Sequence, residues 1–147
     1  MVAQSSKESR RAFPLRRLIQ AGLLGVFASA AVNLLMRAVL FAVLPLPADF
    51  PPLQPVPITL FTMIGTALAA VVFAVVVRIS GAPIRVFRIL SLVALVLSIL
   101  PNVSLMINLA SAPFPGGSAL AFGVLILFHI AAALVSVGIL TTWGQKR

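Results

Sequence analysis

The stretch from Leu18 to Leu44, LIQAGLLGVFASAAVNLLMRAVLFAVL, decides the fold. Its 27 residues are apolar almost without a break, interrupted by Asn33 and Arg37. A helix of that length rises ~40 Å, more than the ~30 Å hydrocarbon core of a bilayer. Helix is also the required form, since a chain in lipid must satisfy its backbone internally and this chain has too few segments to close a barrel. Arg37 is the one basic residue inside a hydrophobic run. The other Lys and Arg residues sit at segment ends or in the tails.

Outward from this run, three more stretches reach spanning length: 57–77, 86–110 and 119–142. Their connections are short and rich in helix breakers. Residues 45–57 carry six prolines together with Asp49 and Phe50, residues 79–85 carry Gly81 and Pro83, and residues 111–118 carry Pro113, Pro115, Gly116 and Gly117. The organisation expected is a basic tail (1–17), a membrane domain (18–142, spans near 18–44, 57–77, 86–110 and 119–142) and a short C-terminus (143–147). Composition agrees. Of the 147 residues 61% are hydrophobic and the mean hydropathy is +1.18, whereas a soluble domain is about 45–50% apolar.

Charge sets the orientation. The tail holds Lys7, Arg10, Arg11, Arg16 and Arg17, the second connection is flanked by Arg78, Arg85 and Arg88, and the C-terminus holds Lys146 and Arg147. The first and third connections have no basic residue, and Asp49 lies in the first. Under the positive-inside rule these clusters share one side only with four crossings and both termini in the cytoplasm. Trp143 fits an anchor at the inner interface. The net charge of +9 is parcelled among helix ends with no patch interleaved with aromatics, so it reads as topology and attraction to anionic headgroups, not as a nucleic-acid footprint. The run Ser9-Arg10-Arg11-Ala12-Phe13 followed by Ala28-Ser29-Ala30 has the outline of a twin-arginine export signal. The apolar sequence runs on past Ala30, which favours a cytoplasmic tail before a first membrane helix.

Several chemistries find no residues. There is no cysteine, and a single His129 with two distant acids cannot build a zinc site, so no metal, cofactor or thiol chemistry is expected. A Ser98–His129 pair lacks an orienting acid and a nucleophile motif, so no catalytic residue is assigned and the chain is not expected to be an enzyme. Cation-coupled transport normally uses membrane carboxylates, which the segments lack.

What remains is polar residues at helical spacing. Gly22, Gly25, Ser29, Asn33 and Arg37 form one stripe. Thr59, Thr62, Thr66 and Ala69 form a second, Ser91, Ser98, Asn102 and Leu105 a third, and Phe122, His129 and Ser136 a fourth. Small and hydroxyl residues in such stripes are ordinary packing surfaces. Counting ~1.5 Å per residue puts Asn33, Arg37, Asn102, Thr62 and Thr66 in the outer half of the membrane and His129 near its middle. The candidate intramembrane polar cluster is therefore Asn33, Arg37, Thr62, Thr66, Asn102 and His129. Arg37 is the costly member, at about 2.5–3.5 kcal/mol for an Arg at a helix centre. It has three open uses: snorkelling to the outer headgroups, structural pairing with Asn33, Asn102, helix carbonyls or Asp49 folding back from the first outer loop, or meeting an incoming anion. His129 is read as a neutral group bonded to a neighbouring helix, with pH sensing as the alternative. Pro101 removes the donor for the Leu97 carbonyl and is a candidate kink beside Asn102. Asn33-Leu34-Leu35-Met36 and Asn102–Met106 fall at comparable points of the first and third spans, the outline of two repeated hairpins.

Four runs carry a resemblance: Pro57-Ile58-Thr59 through Gly65, Arg85-Val86-Phe87-Arg88, Ser98-Ile99-Leu100-Pro101-Asn102, and Phe128-His129-Ile130-Ala131-Ala132-Ala133. Together they resemble a family of small four-helix bacterial membrane proteins known only as a domain of unknown function. The resemblance implies four spans in a bacterial inner membrane and brings no activity. It also implies an acid where this chain has Asn102, so an ion pair between that position and Arg37 is not available here.

The expectation is an all-α, four-helix transmembrane bundle, multi-pass in the inner membrane, with N- and C-termini cytoplasmic. Its expected partners are the lipid bilayer and a homo-oligomer or membrane-complex partner, with no nucleic acid. The leading role is structural, accessory or interaction. The alternative is a small transporter or channel with an outward-facing site for a small anion or polar solute.

Overall fold

The computed structural model describes residues 13–145, and the Ser9–Ala12 part of the export-signal outline lies outside them. Four long helices account for most of this span: α1 (Leu15–Val43), α2 (Pro55–Ile79), α3 (Pro83–Ile107) and α4 (Ala119–Trp143). Short 3-10 turns at Pro51–Leu53 and Leu109–Ser111 complete the connections, and no strand occurs among the described residues. All four helices are long and apolar enough to cross a membrane.

The breakers act where their chemistry places them. Proline opens α2 and α3 at their first turn, where a missing N–H costs nothing. Ser118 caps α4, its hydroxyl accepting from the Ala121 N–H at 3.1 Å. Gly116 takes φ +75°, a left-handed turn conformation that favours glycine. α3 runs unbroken through Pro101.

The helices run up, down, up and down, so both described termini lie at one end of the bundle. There Arg17 donates to the Gln145 carbonyl at 3.2 Å, and Phe13 meets the ring of Phe73 edge-on at 5.5 Å. We call this the terminal end. It carries Arg16, Arg17, Arg78, Arg85 and Arg88. The opposite, loop end carries the two longer connections.

α1 packs along α2 and α4, and α3 leans on α4. Close approach of α1 to α2 depends on Gly22, where an added Cβ would stand 3.2 Å from the Ala70 Cβ. The buried surfaces of α1 are its stripe of Gly22, Gly25, Ser29 and Asn33 with flanking small apolar residues. The outward faces carry the large aliphatics, such as Leu35 at 67% exposure and Leu134 at 70%. That inverts the soluble pattern and suits hydrocarbon as the surrounding solvent.

Two apolar clusters close the ends. At the terminal end Phe73, Val76, Val77, Phe87 and Leu140 are buried together, with Phe73 and Phe87 rings 4.7 Å apart. At the loop end the first connection folds back into the bundle. Phe50 and Leu53 are fully buried against Ile58, Phe122 and Phe128, and Phe50 meets Phe122 edge-on at 5.4 Å. The Gln54 side-chain amide donates to the Ala48 carbonyl and closes this connection into a compact plug.

Candidate functional site

The structure distributes the six candidate polar residues over three separate arrangements. The first is a buried knot. Asn33, 1% exposed, donates from Nδ2 to Thr62 Oγ1 at 2.9 Å and to the Phe128 carbonyl at 3.3 Å. One amide thus ties α1 to α2 and α4. Its Oδ1, like the Ser29 hydroxyl one turn earlier, is buried without a hydrogen-bond partner among the described residues.

The second arrangement holds a loop. Arg37 Nε donates to the Leu53 carbonyl at 2.6 Å, and the guanidinium carbon lies 4.2 Å from the centre of the Phe41 ring. Of the partners open to Arg37 from sequence, the side chain takes a main-chain carbonyl, in the 3-10 turn of the first connection and not in a spanning helix. It pins the folded-back connection by a charge-assisted hydrogen bond, with cation–π support from its own helix.

The third is a groove. α2 and α3 are joined by three residues and meet at the Phe73–Phe87 contact, but toward the loop end they part. Between them lies a cleft of about 1000 Å³ floored by α4 around Phe128, His129, Ala132 and Ala133. Its lips are the exposed Phe61, Ile64 and Leu68 of α2 and Leu90 of α3. Pro51, Pro52 and Phe114 roof it at the loop end, and Val72 and Phe87 close it at the terminal end. The lining is mostly apolar with a few polar groups, the composition of small-molecule clefts between helices.

Those polar groups are specific in state. His129 Nδ1 is 2.7 Å from the Leu125 carbonyl. A carbonyl only accepts, so Nδ1 carries the proton, and in that tautomer Nε2 is the acceptor of the ring. Asn102 donates from Nδ2 to the Ser98 carbonyl at 3.3 Å, and Ser98 donates to the Leu95 carbonyl at 2.8 Å. Thr66 is 3% exposed and its hydroxyl makes no hydrogen bond among the described residues. Its methyl faces α1, since a Cβ on Gly25 would lie 3.6 Å from Thr66 Cγ2. Thr59, Ser136, Thr141 and Thr142 all return their hydroxyls to carbonyls of their own helices, and Thr66 departs from that habit.

Levels follow from helix rise. Thr66 lies 13 residues from the end of α2, His129 14 from the end of α4, and Ser98 15 from the start of α3, as their bounds give. At 1.5 Å per residue these are ~20, ~21 and ~22 Å from the terminal end, one level near mid-membrane. Asn33 and Thr62 were legible as polar positions on the stripes of their own helices, and the structure brings them into contact. Asn102 and His129 each bond within their own helices. The residues that sequence reasoning missed are Phe50 and Leu53. Two bulky apolar side chains inside a proline-rich connection were the available signal.

No protein-family description, no curated protein and no solved structure matches this chain. The resemblance drawn on residues 57–65, 85–88, 98–102 and 128–133 stands on those residues alone.

Proposed function

We propose that the chain is a non-enzymatic accessory protein of a bacterial inner membrane, with both termini cytoplasmic, which holds a membrane-embedded molecule in the groove between α2 and α3. The observation that carries this reading is the groove itself. It is large, mostly apolar, roofed at the loop end, and lipped by side chains that face outward into the membrane plane. A bundle built only to fill itself would draw α3 against α2, and instead α3 buries little beyond Pro83 and Phe87.

Orientation and membrane rest on the basic residues at the terminal end and on the bacterial resemblance. The alternative of a conduit for a small anion or polar solute receives less support. Its best candidate ligand, Arg37, is engaged with Leu53 and does not line the groove. An Asn33–Thr62–Phe128 knot acts as interhelical glue.

Spin labels provide the test, made simple by the absence of native cysteine. Gly65→Cys and Ala94→Cys would carry a nitroxide in the groove, Leu35→Cys one on the lipid face, and Ala48→Cys one in the loop. The groove labels are expected to match Leu35→Cys, relaxed by dissolved oxygen and insensitive to a water-soluble nickel chelate. Relaxation by the chelate at 65 and 94 would mean a water-filled site and would restore the polar-solute reading.

A further inference from the structure

The geometry points to a long-chain primary alcohol, of the isoprenoid or fatty-alcohol kind, as the occupant of the groove, its hydroxyl held between His129 Nε2 and Thr66 Oγ1. The inference rests on the lateral-groove reading above and names the chemistry it selects.

Two unmet polar atoms carry it, and they are of complementary kind. His129 Nε2 is an acceptor because Nδ1 is committed to the Leu125 carbonyl. Thr66 keeps a hydroxyl proton to give, since that group bonds nothing among the described residues, although the residue is almost wholly buried and lines the cleft. Both lie at one level, ~20 Å from the terminal end, on helices that border the groove. The buried side-chain atoms left without a partner among the described residues are Ser29 Oγ and Asn33 Oδ1, so the Thr66 oxygen keeps some exposure at the cleft that the residue lines, where a molecule can reach it. One alcohol group does both jobs: it donates to the imidazole and accepts from the threonine. An ether or ester oxygen satisfies Thr66 alone, and a hydrocarbon satisfies neither.

The surroundings favour a slender, flexible tail. Below the polar level the groove is lined by Ala69, Ser91, Ala94, Ala132 and Ala133, small side chains that leave width for a chain. Ser98 and Ser136 hydroxyls are turned to their own helices, which leaves the Ser91 hydroxyl as the polar group of this part. Among the described residues no basic side chain lines the cleft. A phosphate or sulfate headgroup therefore has no counter-charge at the polar level, and a neutral alcohol does not need one.

A single histidine makes the decisive reading direct. Protein labelled with ¹⁵N-histidine is placed in nanodiscs of synthetic phosphatidylcholine and titrated with farnesol or with farnesyl methyl ether. Farnesol is expected to shift the Nε2 resonance to lower frequency as its lone pair is engaged, while Nδ1 stays nearly fixed. The ether is expected to leave Nε2 in place and to bind about tenfold more weakly, the ratio that one hydrogen bond supplies. His129→Phe should bring farnesol down to the affinity of the ether, and the wild-type comparison decides even if that variant does not fold.

An Nε2 resonance unmoved at saturating farnesol, or moved equally by the ether, overturns the inference. So does a disulfide-linked dimer formed through Gly65→Cys in the same discs, which would make a second copy the occupant. Groove labels that respond to oxygen together with no farnesol response sink this inference alone. Labels that respond to the nickel chelate sink the lateral-groove reading with it.

Discussion

Asn33 and Arg37 interrupt the same helix four residues apart, yet they work in different ways. Asn33 contributes through two hydrogen bonds that cross between helices and leaves its carbonyl oxygen unmet. Interhelical hydrogen bonds in membranes average about 0.6 kcal/mol and reach about 1.7, so Asn33→Ala is expected to cost ~1 kcal/mol in detergent unfolding. A loss above ~3 kcal/mol would show that the side chain does more than join α1 to α2 and α4. Ser29 is the contrasting case. Its buried hydroxyl has no partner among the described residues, so Ser29→Ala should be neutral or slightly stabilising in the same assay. Arg37 holds the first connection, and Arg37→Leu should leave the helices in place while freeing residues 46–54. Hydrogen exchange at the amides of Phe50, Leu53 and Gln54 would report that release. Exchange unchanged from wild type would mean that Phe50 and Leu53 secure the plug by packing alone.

At the scale of elements, the helices were legible because lipid imposes a length and proline and glycine mark the ends. The helices run a few residues beyond the apolar windows at several ends, taking in Pro55, Arg78 and Pro83, since helical backbone continues into the interface where charged side chains reach water. Partner choice among the helices was not legible. In lipid both the inner and outer faces are apolar, so a stripe of Ser91, Ser98 and Asn102 tells which side of α3 is polar but not that α2 will stand away from it. The two hairpins that look alike in sequence take unequal places: α1 lies between α2 and α4 with a buried stripe, whereas α3 buries two residues. The contact of Gly22 with Ala70 sets the spacing of the tight pair. Gly22→Val should push α1 from α2 and cost about 1–3 kcal/mol, the range for overpacking a filled interface. Thermal unfolding in one detergent, beside the exposed-site control Gly138→Val, would measure it, and equal effects at the two sites would remove the argument for close approach.

Over the whole molecule, the candidate polar residues divide by what they hold. One set joins helices, one ties a loop, and one faces a groove, and sequence could place five of them in the outer half of the membrane and His129 near its middle without separating these tasks. Depth is a matter of counting, but direction around each helix relative to its neighbours is a property of the assembled bundle. Thr66 shows the limit well. In sequence it is one of three threonines at helical spacing, and only the structure shows that Thr59 returns its hydroxyl to its own helix while Thr66 packs its methyl toward Gly25 at the edge of the groove.

The plug of Phe50 and Leu53 has a bearing on supply. With Pro51, Pro52 and Phe114 roofing the groove, a guest of the kind proposed above would arrive by travelling sideways through the leaflet and not by falling in from the aqueous phase. Occupancy then follows the guest's mole fraction among the lipids, so a cell that changes its membrane composition would load or empty this protein without any change in dissolved solutes.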